Sequence, residues 1–227
     1  MQFIDYISNV DNIYEKALCP DECEFKDNIK VPIVGVYPPS SDKFLGVIIS
    51  RDPTTRFKDP YLKARVTPER WHDELMEADA PPQWIINKIR FFDGKYVDDV
   101  RFLEKMMADN IYWTHLHKCC TDKLEKELDA KKFKRVNAKL CMKTWLVKEF
   151  SDVVDYKVRF IICLGKDVEN LIKPIEGSLT SHNIRVFYLP HPSDANNGTW
   201  YSKEAKVRDN ITKNIDGLLL LCKSLSN

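Results

Sequence analysis

The chain has 227 residues, of which 44% are hydrophobic and 30% charged, with a formal net charge of +1. This composition excludes a disordered or low-complexity chain, and the length suits one folded domain spanning residues 1–227. No apolar run approaches the roughly 20 residues of a membrane helix, so we expect no membrane contact. The net charge is too small to indicate a nucleic-acid partner by itself, which leaves that role to local patches such as the lysine-rich residues 131–148.

The start of the chain mixes Asp5 and Asn9 into its apolar residues and carries no basic leader. We therefore expect no signal peptide and an intracellular, cytoplasmic protein. We also expect a monomer.

Short apolar runs bounded by turn residues predict four buried β-strands, at residues 44–50, 111–116, 158–164 and 184–189. Segments of helical periodicity alternate with these runs. Strands that alternate with helices are typical of an α/β protein. The pattern predicts a three-layer α/β/α fold with a central, mostly parallel four-stranded sheet.

The helical segments are less sharply bounded than the strands. A helix in two pieces is predicted over residues 69–92, with a break near Pro81 and Pro82. A second helix is predicted from apolar residues at helical spacing, namely Val97, Val100, Leu103 and Met107. Asn137 is a candidate N-cap for a third helix, and Ser202 is a candidate start for the last one. The predicted inner face of that last helix carries Ile211, Ile215, Leu218, Leu219 and Cys222.

Polar side chains lie at the ends of the first, second and fourth predicted strands, where the active site of an open parallel sheet lies. Asp52 follows the first strand, His115 and His117 end the second, and His191 follows the fourth. An acid and several histidines should therefore meet at one edge of the sheet.

In their order along the chain, five segments resemble the motifs of the uracil-DNA glycosylase superfamily, in its iron–sulfur branch. Residues 50–54 (S-R-D-P-T) match a first motif such as G-Q-D-P-Y, and residues 112–119 (Y-W-T-H-L-H-K-C) match Y-I-T-N-x-x-K-C. The other three are a helix that begins with a cysteine (residues 141–146), a strand that ends in Leu-Gly (161–165) and H-P-S (191–193). The resemblance covers nearly the whole chain, from about residue 19 to the final helix.

The resemblance implies a monofunctional DNA glycosylase, which hydrolyses the N-glycosidic bond of uracil or a related deaminated base flipped out of DNA. In that role Asp52 would position the attacking water and stabilise the cationic sugar, and His191 would donate a hydrogen bond to the leaving base. Phe57 is an alternative to Tyr61 as the ring that stacks on the base. The residues that would bind the substrate are Arg51, Pro53, Tyr61, His115 and Ser193.

Four cysteines match the positions where the similar glycosylases hold a [4Fe–4S] cluster: Cys19, Cys23, Cys119 and Cys141. The first pair is separated by three residues here, whereas the family usually has two. Cys120 is an alternative third ligand because it adjoins Cys119. A structural zinc site with four cysteine ligands is the main alternative. The remaining thiols, Cys163 and Cys222, are predicted to lie in the core.

Two positions depart from the family pattern. His115 stands where most relatives have the Asn that reads the uracil edge, and one imidazole cannot reproduce the paired donor and acceptor of an amide. Hypoxanthine and xanthine therefore join uracil as candidate substrates. Ala195 stands where relatives carry a bulky wedge, which leaves Trp200 or Tyr201 to stack on DNA. Asp194 would repel phosphate, which favours weak duplex binding or a preference for single strands.

Two other functions fit the same residues. The first is a non-enzymatic member of the fold that binds DNA or DNA damage through an altered pocket. The second is a metal-dependent hydrolase, with His115, His117 and Asp52 around an open zinc. The second ignores the placement of the four cysteines.

Overall fold

The computed structural model describes residues 21–22, 44–51, 81–117, 139–147 and 157–226. These residues contain a four-stranded sheet made of β1 (Gly46–Ser50), β2 (Ile111–His115), β3 (Phe160–Leu164) and β4 (Arg185–Leu189). All neighbouring strands are parallel, in the order β2-β1-β3-β4. The prediction of an α/β fold with a parallel four-stranded sheet is confirmed, and each strand falls within its predicted run.

Helices connect and cover the strands. In chain order they are α1 (Pro81–Phe91), α2 (Val100–Asp109), α3 (Lys166–Ile172), α4 (Glu176–Ser181), α5 (Asn197–Trp200) and α6 (Ala205–Leu225). Short 3₁₀ segments occupy Phe92–Gly94, Lys173–Ile175 and Asp194–Asn196, and a π-helical turn spans Met142–Leu146. Among the described helices, none combines the length and the apolar character that crossing a bilayer requires.

Two neighbouring residues of β4 show that the sheet is covered on both faces, since successive side chains of a strand point to opposite sides. Phe187 faces α6, where a Cβ added at Gly217 would lie 3.1 Å from its ring. The hydroxyl of Tyr188 points the other way and donates to Glu176 of α4 at 3.0 Å. Helix α2 packs against α6 and so shares its face. The fold is therefore a three-layer α/β/α sandwich.

Burial explains why the strands were readable from the sequence. Every residue of β1, β2 and β3 is buried, and these strands are mostly apolar, as is typical of parallel strands covered on both faces. Their polar residues, Ser50, Thr114 and His115, lie at the carboxyl ends of β1 and β2. The edge strand β4 alternates between exposed and buried positions instead. The predicted inner face of the last helix is confirmed, with Ile211, Ile215, Leu218, Leu219 and Cys222 all buried.

Two helix predictions were wrong in detail. Val97 is 55% exposed and precedes α2, because residues 97–99 form a turn and Tyr96 takes the inward position instead. The last helix begins at Ala205, and Ser202 lies in the turn before it. The predicted helical residues 69–80 and 148–153 lie outside the described residues.

The order of the strands creates a switch point at the carboxyl ends of the two central strands. The connection after β1 leads to β2 at one edge, and the connection after β3 leads to β4 at the other. Neighbouring strands whose connections leave in opposite directions open a crevice beyond their carboxyl ends, and ligands bind there in open α/β sheets. The ends of β1 and β3 are therefore the place to search for a site.

Replacing Gly46 by Ala tests the packing of the sheet. A Cβ at this position would collide with the ring of Phe160, which is fully buried on the next strand. We expect Gly46→Ala to lower the free energy of unfolding by about 1–3 kcal/mol, because a packed core resists added volume. Gly177→Ala in α4 is the control: its Cβ would meet no atom within 4 Å, and Ala favours the helix. Urea unfolding curves would measure both, and equal stability of the two variants would contradict the packing described.

Candidate functional site

The ends of β1 and β2 stay together beyond the last strand residues. Ser50 and His115 are register neighbours. The backbone N–H of Leu116 donates to the Ser50 carbonyl at 2.9 Å, and that of His117 donates to the Arg51 carbonyl at 2.9 Å. Arg51 and His115 therefore belong to the same edge of the sheet, as predicted.

The ends of β3 and β4 are joined in the same way, and His191 lies against them. The backbone N–H of Gly165 donates to the Leu189 carbonyl at 2.8 Å. Gly165 has φ +89°, a backbone conformation that residues other than glycine rarely adopt. A Cβ at this position would lie 3.6 Å from the Cβ of His191. The glycine that ends the third strand thus lets the chain turn into α3 directly beside His191.

Arg51 spans the crevice between β1 and β3. Its Nη1 lies 3.4 Å from Oδ2 of Asp167, in the first turn of α3. Both side chains are partly exposed, so the pair adds little to stability. Its consequence is local: the guanidinium is close enough to His191 to disfavour a second positive charge there.

Hydrogen bonds from Ser193 fix the tautomer of His191. The backbone N–H of Ser193 donates to Nδ1 of His191 at 3.2 Å. An amide N–H can only donate, so Nδ1 is the acceptor and carries no proton. The Ser193 hydroxyl, 3.0 Å from Nδ1, must then donate to it as well. A neutral imidazole in this setting holds its proton on Nε2.

Two further bonds hold this segment in place. The side-chain amide of Asn196 donates to the Ser193 hydroxyl oxygen at 3.1 Å, which orients the hydroxyl hydrogen toward His191. The indole N–H of Trp200 donates to the His191 carbonyl at 3.1 Å, and this indole is buried, with 1% exposed. Trp200 is therefore a core residue, and its predicted role as a ring that stacks on DNA is wrong. Tyr201, which is 59% exposed, keeps that prediction.

Burial and charge keep His191 neutral. Removal from water disfavours the imidazolium, the Arg51 guanidinium adds to this effect, and together they lower the pKa of His191 to about 4. At neutral pH the ring is an uncharged donor through Nε2.

The structure brings together Arg51, His191 and Ser193 of the predicted substrate and catalytic residues. His115 lies at the end of β2, three strand spacings from β4, which corresponds to about 14 Å between strand axes. The other predicted site residues, namely Asp52, Pro53, Phe57 and Tyr61, lie outside the described residues, as do Cys19, Cys23, Cys119 and Cys120.

The two histidines of the zinc-hydrolase alternative are deeply buried. His115 is 1% exposed and His117 is fully buried. A catalytic zinc keeps one position open to water and substrate. The burial of both imidazoles weighs against this alternative.

Cys141 is the member of the predicted cluster set that falls among the described residues. Its thiol is buried and lies at the start of the π-helical turn Met142–Leu146, an irregularity often found at functional sites. A buried sulfur suits a cluster ligand. Within the described ranges, no three side chains of His, Cys, Asp or Glu form a metal-binding group, and the three other predicted ligands lie outside those ranges.

Cys163 and Cys222 are buried core residues, as predicted. Burial raises the pKa of Cys222 to about 12 and raises the pKa of the Cys163 thiol further. Neither is a reactive thiolate at neutral pH.

Three contributors to the site were missed in the sequence. Asp167 and Asn196 are ordinary polar residues of a first helical turn and a 3₁₀ segment, and no local pattern connects Asp167 with Arg51. Gly165 was identified only as the end of a strand. A glycine directly after the third strand, together with a histidine after the fourth, is the sequence signal that could have predicted the contact of Gly165 with His191.

The fold and the carboxyl ends of its strands define an α/β protein with a partly buried, neutral imidazole beside the switch point of a doubly wound sheet. No protein-family model matches the chain, and no curated protein is significantly similar to it in sequence.

Titration of His191 tests the electrostatics of the site. We expect its pKa near 4 in the folded protein, and Arg51→Gln should raise it while leaving it below 6.5, because burial is the larger cause. NMR of the imidazole against pH measures both values, with Arg159→Gln as the control. Since the folded-state pKa lies below the unfolded one, this group leaves stability unaffected above pH 6.5 and costs stability as pH falls toward 4. A pKa at or above 6.5 would contradict the site as described.

Proposed function

We propose that this chain is a DNA glycosylase that hydrolyses the N-glycosidic bond of uracil or a related deaminated base in DNA. The observation that supports it best is His191: a partly buried imidazole whose Nδ1 is occupied by Ser193 and whose Nε2 remains to donate. It lies at the sheet edge where the first motif, with Asp52, follows β1.

The chemistry needs opposite charges stabilised at two places. As the glycosidic bond breaks, the deoxyribose becomes cationic and the leaving base becomes anionic. A fixed donor aimed at the base oxygen stabilises the developing anion, and it is most effective where water is excluded and no reorganisation is needed. His191 has these properties, since it is mostly buried and is held by Ser193 and, through its carbonyl, by Trp200.

A neutral donor suits this role. With its pKa lowered to about 4, His191 is uncharged across the physiological range. A neutral imidazole is a very weak acid, so it donates a hydrogen bond through Nε2 to the departing base without transferring the proton. Arg51 contributes a positive charge at the same edge, which also favours an anionic leaving group. Asp52, which follows Arg51 in the sequence, would supply the carboxylate that positions water and stabilises the cationic sugar.

The pocket would be closed on its far side by the end of β2. The axes of the outer strands lie about 14 Å apart, so His115 and His191 stand on opposite sides of the crevice. A neutral imidazole offers one donor and one acceptor on opposite sides of its ring. As the residue that reads the base, His115 would favour a base other than uracil alone, such as hypoxanthine or xanthine. Its imidazole is 1% exposed, so this part of the proposal requires the end of β2 to open when the base binds. Pro53 and Tyr61 would complete the binding of the flipped base.

A [4Fe–4S] cluster on Cys19, Cys23, Cys119 and Cys141 is part of this proposal, with structural zinc as the alternative. The buried thiol of Cys141 supports it. Such a cluster would tie together segments that are distant in the sequence, a structural contribution. A cytoplasmic location, where thiols stay reduced, and a monomer bound to damaged DNA fit the same proposal.

A second candidate is a non-enzymatic protein that binds DNA or DNA damage. Three departures from the pattern of the catalytic family favour it, namely His115, Asp194 and Ala195. Asp194 is 95% exposed directly after the H-P-S segment, so its carboxylate is part of the surface that a ligand meets.

Release of free base separates these functions. We expect single-turnover assays on oligonucleotides that each carry uracil, hypoxanthine or xanthine to detect base release without strand cleavage for at least one base. Asp52→Asn should slow that step by about 10²- to 10⁴-fold, and His191→Leu by about 10²- to 10³-fold, with binding retained. His182→Gln, at an exposed histidine, should leave the rate unchanged. Retained binding with no release of any base would establish the second candidate instead.

Metal analysis tests the cluster independently of activity. Anaerobically purified protein should be coloured and carry about four iron atoms per chain, as the cluster formula requires. Cys141→Ser should lower the iron content, whereas Cys163→Ala, at a core thiol on β3, should not. Colourless protein that carries zinc would replace the cluster by the zinc alternative, and full iron in Cys141→Ser would remove this residue from the ligand set.

A further inference from the structure

A cleft opens beside Ser193, between α1 and the segment that follows β4. Its volume is about 420 Å³, within the range of roughly 300–1,000 Å³ that is usual for small-molecule sites. Its walls in the described part of the chain include three aromatic rings, one cation and one carboxylate. These are Trp84, Phe91, Tyr201, Lys88 and Asp194.

The exposure of the aromatic rings is the first unusual feature. Phe91 is 64% exposed and Tyr201 is 59% exposed, although both are large enough to contribute strongly to a core. They come from different elements, one from α1 and one from the turn after α5, yet they line the same cleft as the half-buried Trp84. Convergent exposed rings of this kind form a stacking surface for a planar ligand.

Lys88 is held in the cleft by its neighbours. Its Nζ donates to the side-chain oxygen of Asn197, lies 5.5 Å from the centre of the Tyr201 ring and is 3.8 Å from Asp194. The lysine side chain is only 15% exposed. A positioned cation next to stacking rings is the combination that binds nucleotides, through the phosphate and the base.

Ser193 connects this cleft to the candidate catalytic residue. It lines the cleft, and its hydroxyl lies 3.0 Å from Nδ1 of His191. A ligand in the cleft would therefore lie next to a nucleotide bound at His191.

We propose that this cleft holds an unpaired nucleobase of single-stranded DNA, adjacent to the nucleotide bound at His191. The proposal rests on the proposed function, and it assigns single-stranded DNA as the substrate class. In a duplex the base beside the target is paired and stacked, so placing it in the cleft would require a second costly extrusion in addition to that of the target. A single strand has no pairing to break.

Asp194 reinforces this assignment. Its exposed carboxylate lies at the rim, close to the Lys88 ammonium and within reach of any phosphate that approaches the cleft. A continuous duplex would bring two phosphate backbones to this surface, whereas a flexible single strand can direct its backbone away from the carboxylate.

Fluorescence anisotropy with a labelled oligothymidine, which contains no damaged base, tests the cleft independently of base release. We expect tighter binding of the single strand than of a duplex of the same length and label. Tyr201→Ala and Phe91→Ala should each weaken single-strand binding by about 5- to 100-fold, and Tyr201→Phe should retain it, since stacking requires the ring and not the hydroxyl. Ile175→Ala, at an exposed apolar residue outside the cleft, is the matched control.

Charge variants give a second measurement. Lys88→Gln should weaken binding and lower the salt dependence by about one phosphate contact, whereas Asp194→Asn should strengthen binding. Circular dichroism of each variant would confirm that it is folded.

Equal binding of single strand and duplex, or wild-type affinity in both Tyr201→Ala and Phe91→Ala, would overturn the proposal. So would displacement of the oligonucleotide by a proline-rich peptide in a Tyr201-dependent manner, because that would assign the aromatic cleft to peptide recognition. If Tyr201-dependent single-strand binding is observed while no base is released, the proposed enzyme function fails and the cleft stands. If base is released and the aromatic variants bind the single strand as tightly as the wild type, the enzyme function stands and the cleft proposal fails.

Discussion

The hydrogen bonds from Ser193 to Nδ1 of His191 are the constraint on which the site depends. They leave Nε2 as the ring nitrogen that carries the proton of the neutral imidazole. Burial and the Arg51 guanidinium act in the same direction, because both disfavour the imidazolium. His191 is therefore a weak base that acts as a positioned, uncharged hydrogen-bond donor. A donor of this kind is useful where a leaving group acquires negative charge.

The fold supplies that donor through its connectivity. Strands β1 and β3 are neighbours with connections that leave in opposite directions, so their carboxyl ends frame an open crevice. Gly165 turns the chain at the end of β3 with φ +89°, which allows His191 to pack beside it. On the other side, the buried indole of Trp200 holds the backbone of His191. The next residue, Tyr201, lines the aromatic cleft, so a core residue and a residue of the proposed binding surface are consecutive in the sequence.

Much of the fold is readable from the sequence because β1, β2 and β3 are buried throughout and therefore consist mostly of apolar residues. The inner face of the last helix is equally readable, since its burial follows helical spacing. Helix starts are not, because local turns such as residues 97–99 decide them. The sequence also does not distinguish Trp200 from Tyr201, which are both aromatic and adjacent. Tertiary packing buries the side chain of Trp200 and leaves that of Tyr201 exposed. The ion pair of Arg51 with Asp167 joins residues far apart in the chain, and no local pattern predicts such a contact.

The protonation state of the His191 ring at neutral pH is the most direct test of this account. Nitrogen-15 NMR of the imidazole distinguishes a protonated ring nitrogen from an unprotonated one, and comparison with a His191→Gln variant assigns the signals. We predict an unprotonated Nδ1 and a protonated Nε2. A proton on Nδ1, alone or together with one on Nε2, would contradict it, because the Ser193 N–H could then no longer donate to that nitrogen.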